Sequence, residues 1–227
     1  MEEYGFSGPV AGSDIRNTLS KTFLWMFMGV LATAITAVYT FSSGLAIKFA
    51  LEGTFAIIGI IQIVAVLVFS LIFRKASPTV VTVLFFAYSM LTGVTLSTIF
   101  LIYELETIII SLFASAGIFG ILAYMGYNTN KDISSFGTIL TVGLIIGLIL
   151  SIINLFIGSS MMAIVLDWVI LGIFLGFTLY DMNKIKGILE SGMYDQEKVS
   201  IYGAMELYLD FINIFIRILS LMARSRD

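Results

Sequence analysis

No cysteine and no histidine occur in this chain of 227 residues. Their joint absence excludes disulfides, thiolate metal sites, imidazole ligation of haem, histidine general bases and HExxH zinc chemistry. Charge is scarce as well. Only 12% of the residues are Asp, Glu, Lys or Arg, about half the share in an ordinary soluble domain. No basic tract offers a surface for nucleic acid, and the net charge of -3 is spread along the chain. Proton or cation chemistry therefore falls to carboxylates. The first charges, Glu2 and Glu3, are acidic, and no short apolar core with a small-residue cleavage site follows, so no cleaved signal peptide is expected.

What the chain has in abundance is apolar surface: 59% hydrophobic residues and a mean hydropathy of +1.05. It reads as an all-α integral membrane protein. A ruler of about 20 apolar residues per crossing predicts seven transmembrane helices, at 22–46, 54–73, 79–103, 107–128, 136–157, 161–181 and 201–222. They form one domain over 22–227, preceded by a cytoplasmic segment 1–21. The loops are too short for a soluble domain, which puts the function inside the bundle. With the N-terminus in the cytoplasm, eight Lys and Arg residues fall on that side and three (Lys48, Arg224, Arg226) on the other, the bias expected of cytoplasmic loops. One conflict stands: a seventh full crossing puts Arg224 and Arg226 outside, whereas a re-entrant last segment keeps them inside. The length of 201–222 favours the crossing. Small residues in the fourth span (Ala114, Ser115, Ala116, Gly117, Gly120) and the fifth (Gly143, Gly147, Ser151) read as close helix packing.

Charged groups inside a span cost roughly 2.5–3.5 kcal/mol at the bilayer centre on insertion scales, so each is a functional candidate. Here they are Asp167, Asp181, Glu206, Asp210 and Arg217, with Gln62, Asn154 and Asn213 as uncharged companions. In the last span Glu206, Asp210, Asn213 and Arg217 are spaced 4, 3 and 4, which on a helix makes one polar stripe. Such a stripe either lines a polar path or pairs with neighbours to fix packing, and for Asn213 and Arg217 both readings stand. Asp181, taken alone, reads as a solvated end-of-helix residue. The chain returns from the same side, however, and Asp210 lies about 13 Å into the next helix at 1.5 Å per residue. Two carboxylates brought together in a low-dielectric site share a proton, and one pKa rises toward neutrality. Their oxygens also suit hard cations such as Ca²⁺. Asp181 with Asp210 is thus a candidate pH sensor and a candidate calcium site.

Residues 204–227, AMELYLDFINIFIRILSLMARSRD, closely resemble the C-terminal signature of the Bax inhibitor family, especially its bacterial members. AYSMLTGVTLSTIFLIY (87–103), MGYNTNKDISSFGTIL (125–140) and LGFTLYDMNKIKG (175–187) are similar to further family segments in the family's order. The resemblance implies a seven-helix fold with the last helix central and surrounded by the other six, in a bacterial plasma membrane. It implies a pH-sensitive calcium leak channel gated by the aspartate pair, here Asp181 and Asp210, with calcium ions and protons as partners and no cofactor. It also implies a latching arginine near the end of the second helix, here Arg74 in IFRKASP. Where some members carry a pore acid in the second helix this chain has Gln62, a departure that leaves one calcium contact uncharged. Glu206, Asn213, Arg217, Gln62 and Asp167 are the candidate pore or polar-stripe residues.

Two readings of other classes compete: a membrane interaction protein without transport activity, and a proton-coupled small-solute transporter. No enzyme is expected. Intramembrane serine and zinc proteases need histidine, an aspartyl protease of the membrane type wants glycine-bearing motifs around its acids, and a retinal protein needs a lysine within a span. Protein partners are unassigned, and the chain is taken as a monomer.

Overall fold

A backbone without water to bond must satisfy its own N–H and C=O groups, which in lipid favours helix. The computed structural model describes residues 12–72 and 75–225, and the described residues form helices and no strand. In chain order these are α1 (Gly12–Ser42), α2 (Leu45–Leu51), α3 (Thr54–Ile72), α4 (Pro78–Leu96), α5 (Ile99–Ile102), α6 (Leu105–Asn128), α7 (Ser134–Ile157), α8 (Ser160–Ser191) and α9 (Gln196–Arg224). Six stretches are long and apolar enough to cross a membrane: α1, α3, α4 with α5, α6, α7 and α8. The seventh expected span, within α9, is not among them, because its polar stripe dilutes its apolar content.

The ends of the elements depart from the sequence reading for local reasons. Helix α1 starts at Gly12 rather than residue 22, because Ile15, Thr18, Leu19 and Thr22 form a buried stripe at helical spacing. It stops before Gly44, whose φ of 78° suits a residue without a Cβ. The third span is interrupted between α4 and α5, where the Ser97 and Thr98 hydroxyls donate to the Val94 and Thr95 carbonyls at 2.6 and 2.9 Å. Hydroxyls bonding back in this way compete with the helical ladder. Helix α4 is entered through Pro78 at its first turn with Ser77 as N-cap, a position where proline sacrifices no helical bond. Asn154 closes the α7–α8 turn: its amide donates to the Ser159 carbonyl at 3.1 Å and its oxygen accepts from the Ser159 N–H at 3.2 Å.

Contacts gather the chain into two units, residues 1–102 with 185–208 and residues 103–184 with 209–227. In the first, α1 and α4 run in the same direction at close range. Gly29 faces Phe85 and Ser89, and Gly93 faces Thr33 and Thr36. The opening part of α9 lies along α1 in the same sense, with Gln196 against Thr18, Gly203 against Thr22 and Tyr208 against Thr33. In the second unit α7 and α8 are antiparallel, with Gly137 at Tyr180, Gly143 at Ile173, Gly147 at Ile170 and Leu140 at Gly176. Gly126 of α6 packs on Leu179 and Met182. Gly143 and Gly147 are thus packing residues, as their spacing suggested. Gly117 and Gly120 are not: a side chain there would meet nothing within 4 Å, and the buried face of α6 runs through the expected Ser115 together with Ser111 and Phe119.

Close approach through glycine gives a stability test. A Cβ on Gly93 would stand 2.5 Å from the Thr33 carbonyl oxygen and 2.7 Å from Thr36 Cβ. Gly93→Ala is therefore expected to destabilise the protein by about 1–3 kcal/mol, read as a lowered unfolding temperature in detergent. Gly117→Ala, with open space at the same resolution of change, should stay within about 0.5 kcal/mol of wild type. Equal effects would show that helix contact at Gly93 does not matter.

Candidate functional site

Helices α8 and α9 carry nearly all the intramembrane charges. Asp181 is 4% exposed and Asp210 3%, so Asp181 is not a solvated helix end. Its Oδ1 lies 3.8 Å from Lys184 Nζ, one turn further along α8. Both aspartates belong to the second unit. Asn183, beside Asp181 in sequence, donates to the Thr129 carbonyl at 2.7 Å and ties α8 to the α6–α7 loop. In that loop Asp132 caps α7 by accepting from the Ser134 N–H at 2.9 Å. The Ser134 backbone, then its hydroxyl, hold the Asp132 carboxyl below the ordinary carboxylate range, which removes it as a sensor near neutrality.

Toward the start of α8 stands a second charged cluster. Asp167, 5% exposed, accepts from Arg217 Nη1 at 2.7 Å through Oδ1 and from the Ser220 hydroxyl at 2.7 Å through Oδ2. Arg224 Nη2 is 3.6 Å from that second oxygen. Asp167 and Arg217 were both candidates; Ser220 and Arg224 were missed. Their signal was present in the spacing, since 213, 217, 220 and 224 continue the alternation of 4 and 3 that begins at Glu206. Asn213 turns inward on its own helix, donating to the Leu209 carbonyl at 2.8 Å.

The cluster sets how α8 and α9 lie against each other. They pass antiparallel, with Asp167 opposite a stretch of α9 from Arg217 to Arg224. Asp181 is fourteen residues further along α8, about 21 Å at 1.5 Å per residue. The same count back along α9 from Arg217, Ser220 and Arg224 reaches positions 203, 206 and 210. Asp210, in the same unit as Asp181, is the position this count reaches from Arg224. Two buried acids at a similar depth on adjoining antiparallel helices are the arrangement in which carboxylates couple.

The remaining candidates lie in the first unit or outside the described residues. Gln62 of α3 donates through Nε2 to the Thr92 hydroxyl at 3.0 Å and accepts from the Thr95 hydroxyl at 3.0 Å. It clips α3 to α4 with both ends of its amide. Beside this clip the wholly buried Tyr208 of α9 shares a 2.6 Å hydrogen bond with Thr33 and packs edge-on against Phe85 and Tyr88. Sequence reasoning passed over this hydroxyl-bearing core because tyrosine and threonine raise no flag in an apolar run. Arg74, the candidate latch, lies outside the described residues.

Comparison with known proteins bears on the whole chain. Residues 15–227 match the family model described as Inhibitor of apoptosis-promoting Bax1. The inner membrane protein YbhL of Escherichia coli strain K12 is 34% identical over 224 residues, 96% of this chain and 95% of that protein. An uncharacterized protein of Deinococcus radiodurans is 32% identical, covering 100% of this chain and 98% of its own. An uncharacterized membrane protein of Streptococcus pyogenes serotype M1 is 35% identical over 169 residues, 73% of this chain and 72% of that one. Six apolar helices and these relatives together identify a multi-pass membrane protein.

Proposed function

The chain belongs to the Bax inhibitor family, and from that premise we propose that it is a pH-sensitive calcium leak gated by Asp181 and Asp210. The observation that carries the reading is the burial of both carboxylates on helices whose contact at Asp167 brings them to a similar depth. When both are ionised their repulsion is relieved by Lys184 and by the latch cation that the resemblance assigns to Arg74. A captured proton, shared by the pair, takes it from two negative charges to one, weakens its hold on the latch and shifts the bundle toward the open state. A proton can do this only by binding the two states with different affinity. Calcium passes as a permeant ion. Among the described residues no three acids gather as a metal cluster, whereas a resident Ca²⁺ takes six to eight oxygens.

The same reading makes α9 a seventh crossing, with the N-terminus cytoplasmic and α9 at the centre. Its 29 residues extend about 43 Å at 1.5 Å each, enough to span. Its last turns stand beside the first turns of α8, at the end away from Asp181. Arg224 then opposes the positive-inside tendency because Asp167 holds it. The central place is supported by burial: Met205, Leu207, Tyr208 and Ile214 of α9 are each at most 1% exposed.

Purified protein in liposomes with an entrapped Ca²⁺ dye is the test, with flux expected to rise as pH falls from 8 to 6. Flux no greater than in protein-free liposomes at every pH would end the channel reading, and saturable counterflow would replace it with a transporter. A finer expectation concerns Lys184. Its ammonium favours the ionised form of Asp181, so Lys184→Gln should move the flux midpoint to higher pH by roughly half a unit to one unit, a modest shift because Lys184 is a third exposed. A midpoint that stays put would detach Asp181 from the titration.

A further inference from the structure

The Asp167 cluster is not part of the proposed sensor, yet both oxygens of its buried carboxylate accept hydrogen bonds from α9. One buried carboxylate accepts from Arg217 and Ser220 and is ion-paired with Arg224 at 3.6 Å, and the three lie on one face over two turns of α9. A slip of one residue would swing all three away from Asp167, and a slip of four residues, about 6 Å, would put Asn213, Ile216 and Ser220 where Arg217, Ser220 and Arg224 stand, taking both guanidiniums from the carboxylate. Apolar faces of Leu, Ile and Phe tolerate such sliding. A polar contact with a fixed partner does not, and setting register is the best-attested use of buried polar groups.

We propose that Asp167 and Arg217 are positioning residues: they hold α9 to α8 in one register and thereby set where Asp210 stands against Asp181. Helix α9 is anchored at its Arg224 end, fourteen residues from Asp210. The inference rests on the channel reading only for its flux arm.

The native chain lacks cysteine, so introduced pairs report without background. Phe211, next to Asp210 in sequence, packs on Phe119 of α6 with ring centroids 5.7 Å apart, and Phe119→Cys with Phe211→Cys joined by a short bifunctional thiol reagent reads where the Asp210 turn of α9 stands against α6 in the same unit. Adding Asp167→Asn is expected to lower the cross-linked yield several-fold and, in the otherwise native protein, to shift the pH midpoint of flux. A second variant, Asp167→Cys with Ser220→Cys, is bridged by a short reducible reagent. The bridge should restore the native pH midpoint and its reduction should remove it again. This variant decides the matter if Asp167→Asn does not fold. Unchanged cross-linking in a folded Asp167→Asn protein, or a bridged protein with no pH-gated flux, overturns the proposal. Wild-type protein without flux would refute the channel and leave the cross-linking arm to judge the anchor.

Discussion

Replacing Asp181 and Asp210 together by asparagine is expected to leave calcium leak high and flat from pH 6 to pH 8, where the wild-type protein changes by up to roughly tenfold per pH unit. That factor is the ceiling for one titrating proton, since one pH unit corresponds to about 1.36 kcal/mol between protonation states. Asparagine keeps the shape of a protonated aspartate and cannot ionise, so the double variant mimics the protonated pair at every pH. The single Asp210→Asn separates sharing from mere burial. It leaves Asp181 beside Lys184 at 3.8 Å without its like-charged neighbour, and the midpoint should fall by roughly 1–3 pH units. Retained pH dependence in the double variant would show that the sensor lies elsewhere, whatever the flux.

The helical, membrane-spanning character of the chain was legible because a crossing imposes a fixed length of apolar residues, and α3, α6 and α7 match the expected spans within a few residues. What escaped was set by contacts between distant segments. Residues 12–21 contain Asp14, Arg16 and Lys21 and look like a soluble leader, yet Ile15, Thr18 and Leu19 bury a stripe that continues α1 through them. Small residues proved ambiguous for the same reason: Gly147 meets Ile170 while Gly117 meets nothing within 4 Å, and spacing alone cannot tell which face of a helix has a neighbour. That Gln62 bonds Thr92 and Thr95 with the two ends of its amide was likewise invisible in the sequence, where the partners are thirty residues or more away. At the site, the stripe on α9 was visible as a 4-3-4 spacing, whereas its partner was not. Asp167 and Arg217 are fifty residues apart, and only the fold shows that they are partners.

That partnership leads to the largest expected effect on stability. Arg217→Met leaves the buried Asp167 carboxylate with Ser220 and the partly exposed Arg224, and removing one member of a buried ion pair typically costs about 3–5 kcal/mol. Arg224 can take over part of the role, so the lower end of that range is expected. Asp167→Leu alone strands the guanidinium of Arg217, whose Nε is already buried with no hydrogen-bond partner among the described residues. The pair is therefore not fully satisfied, and joining Asp167→Leu to Arg217→Met should recover most of the loss, since apolar residues of similar volume commonly replace a buried ion pair at little cost. Unfolding in detergent would show strong coupling between the two changes, and simple additivity of the two losses would mean the contact carries no energy of its own. Recovery of stability without recovery of the Phe119–Phe211 cross-link would separate the two properties. The ion pair would then be retained for where it places Asp210, not for how firmly it holds the bundle.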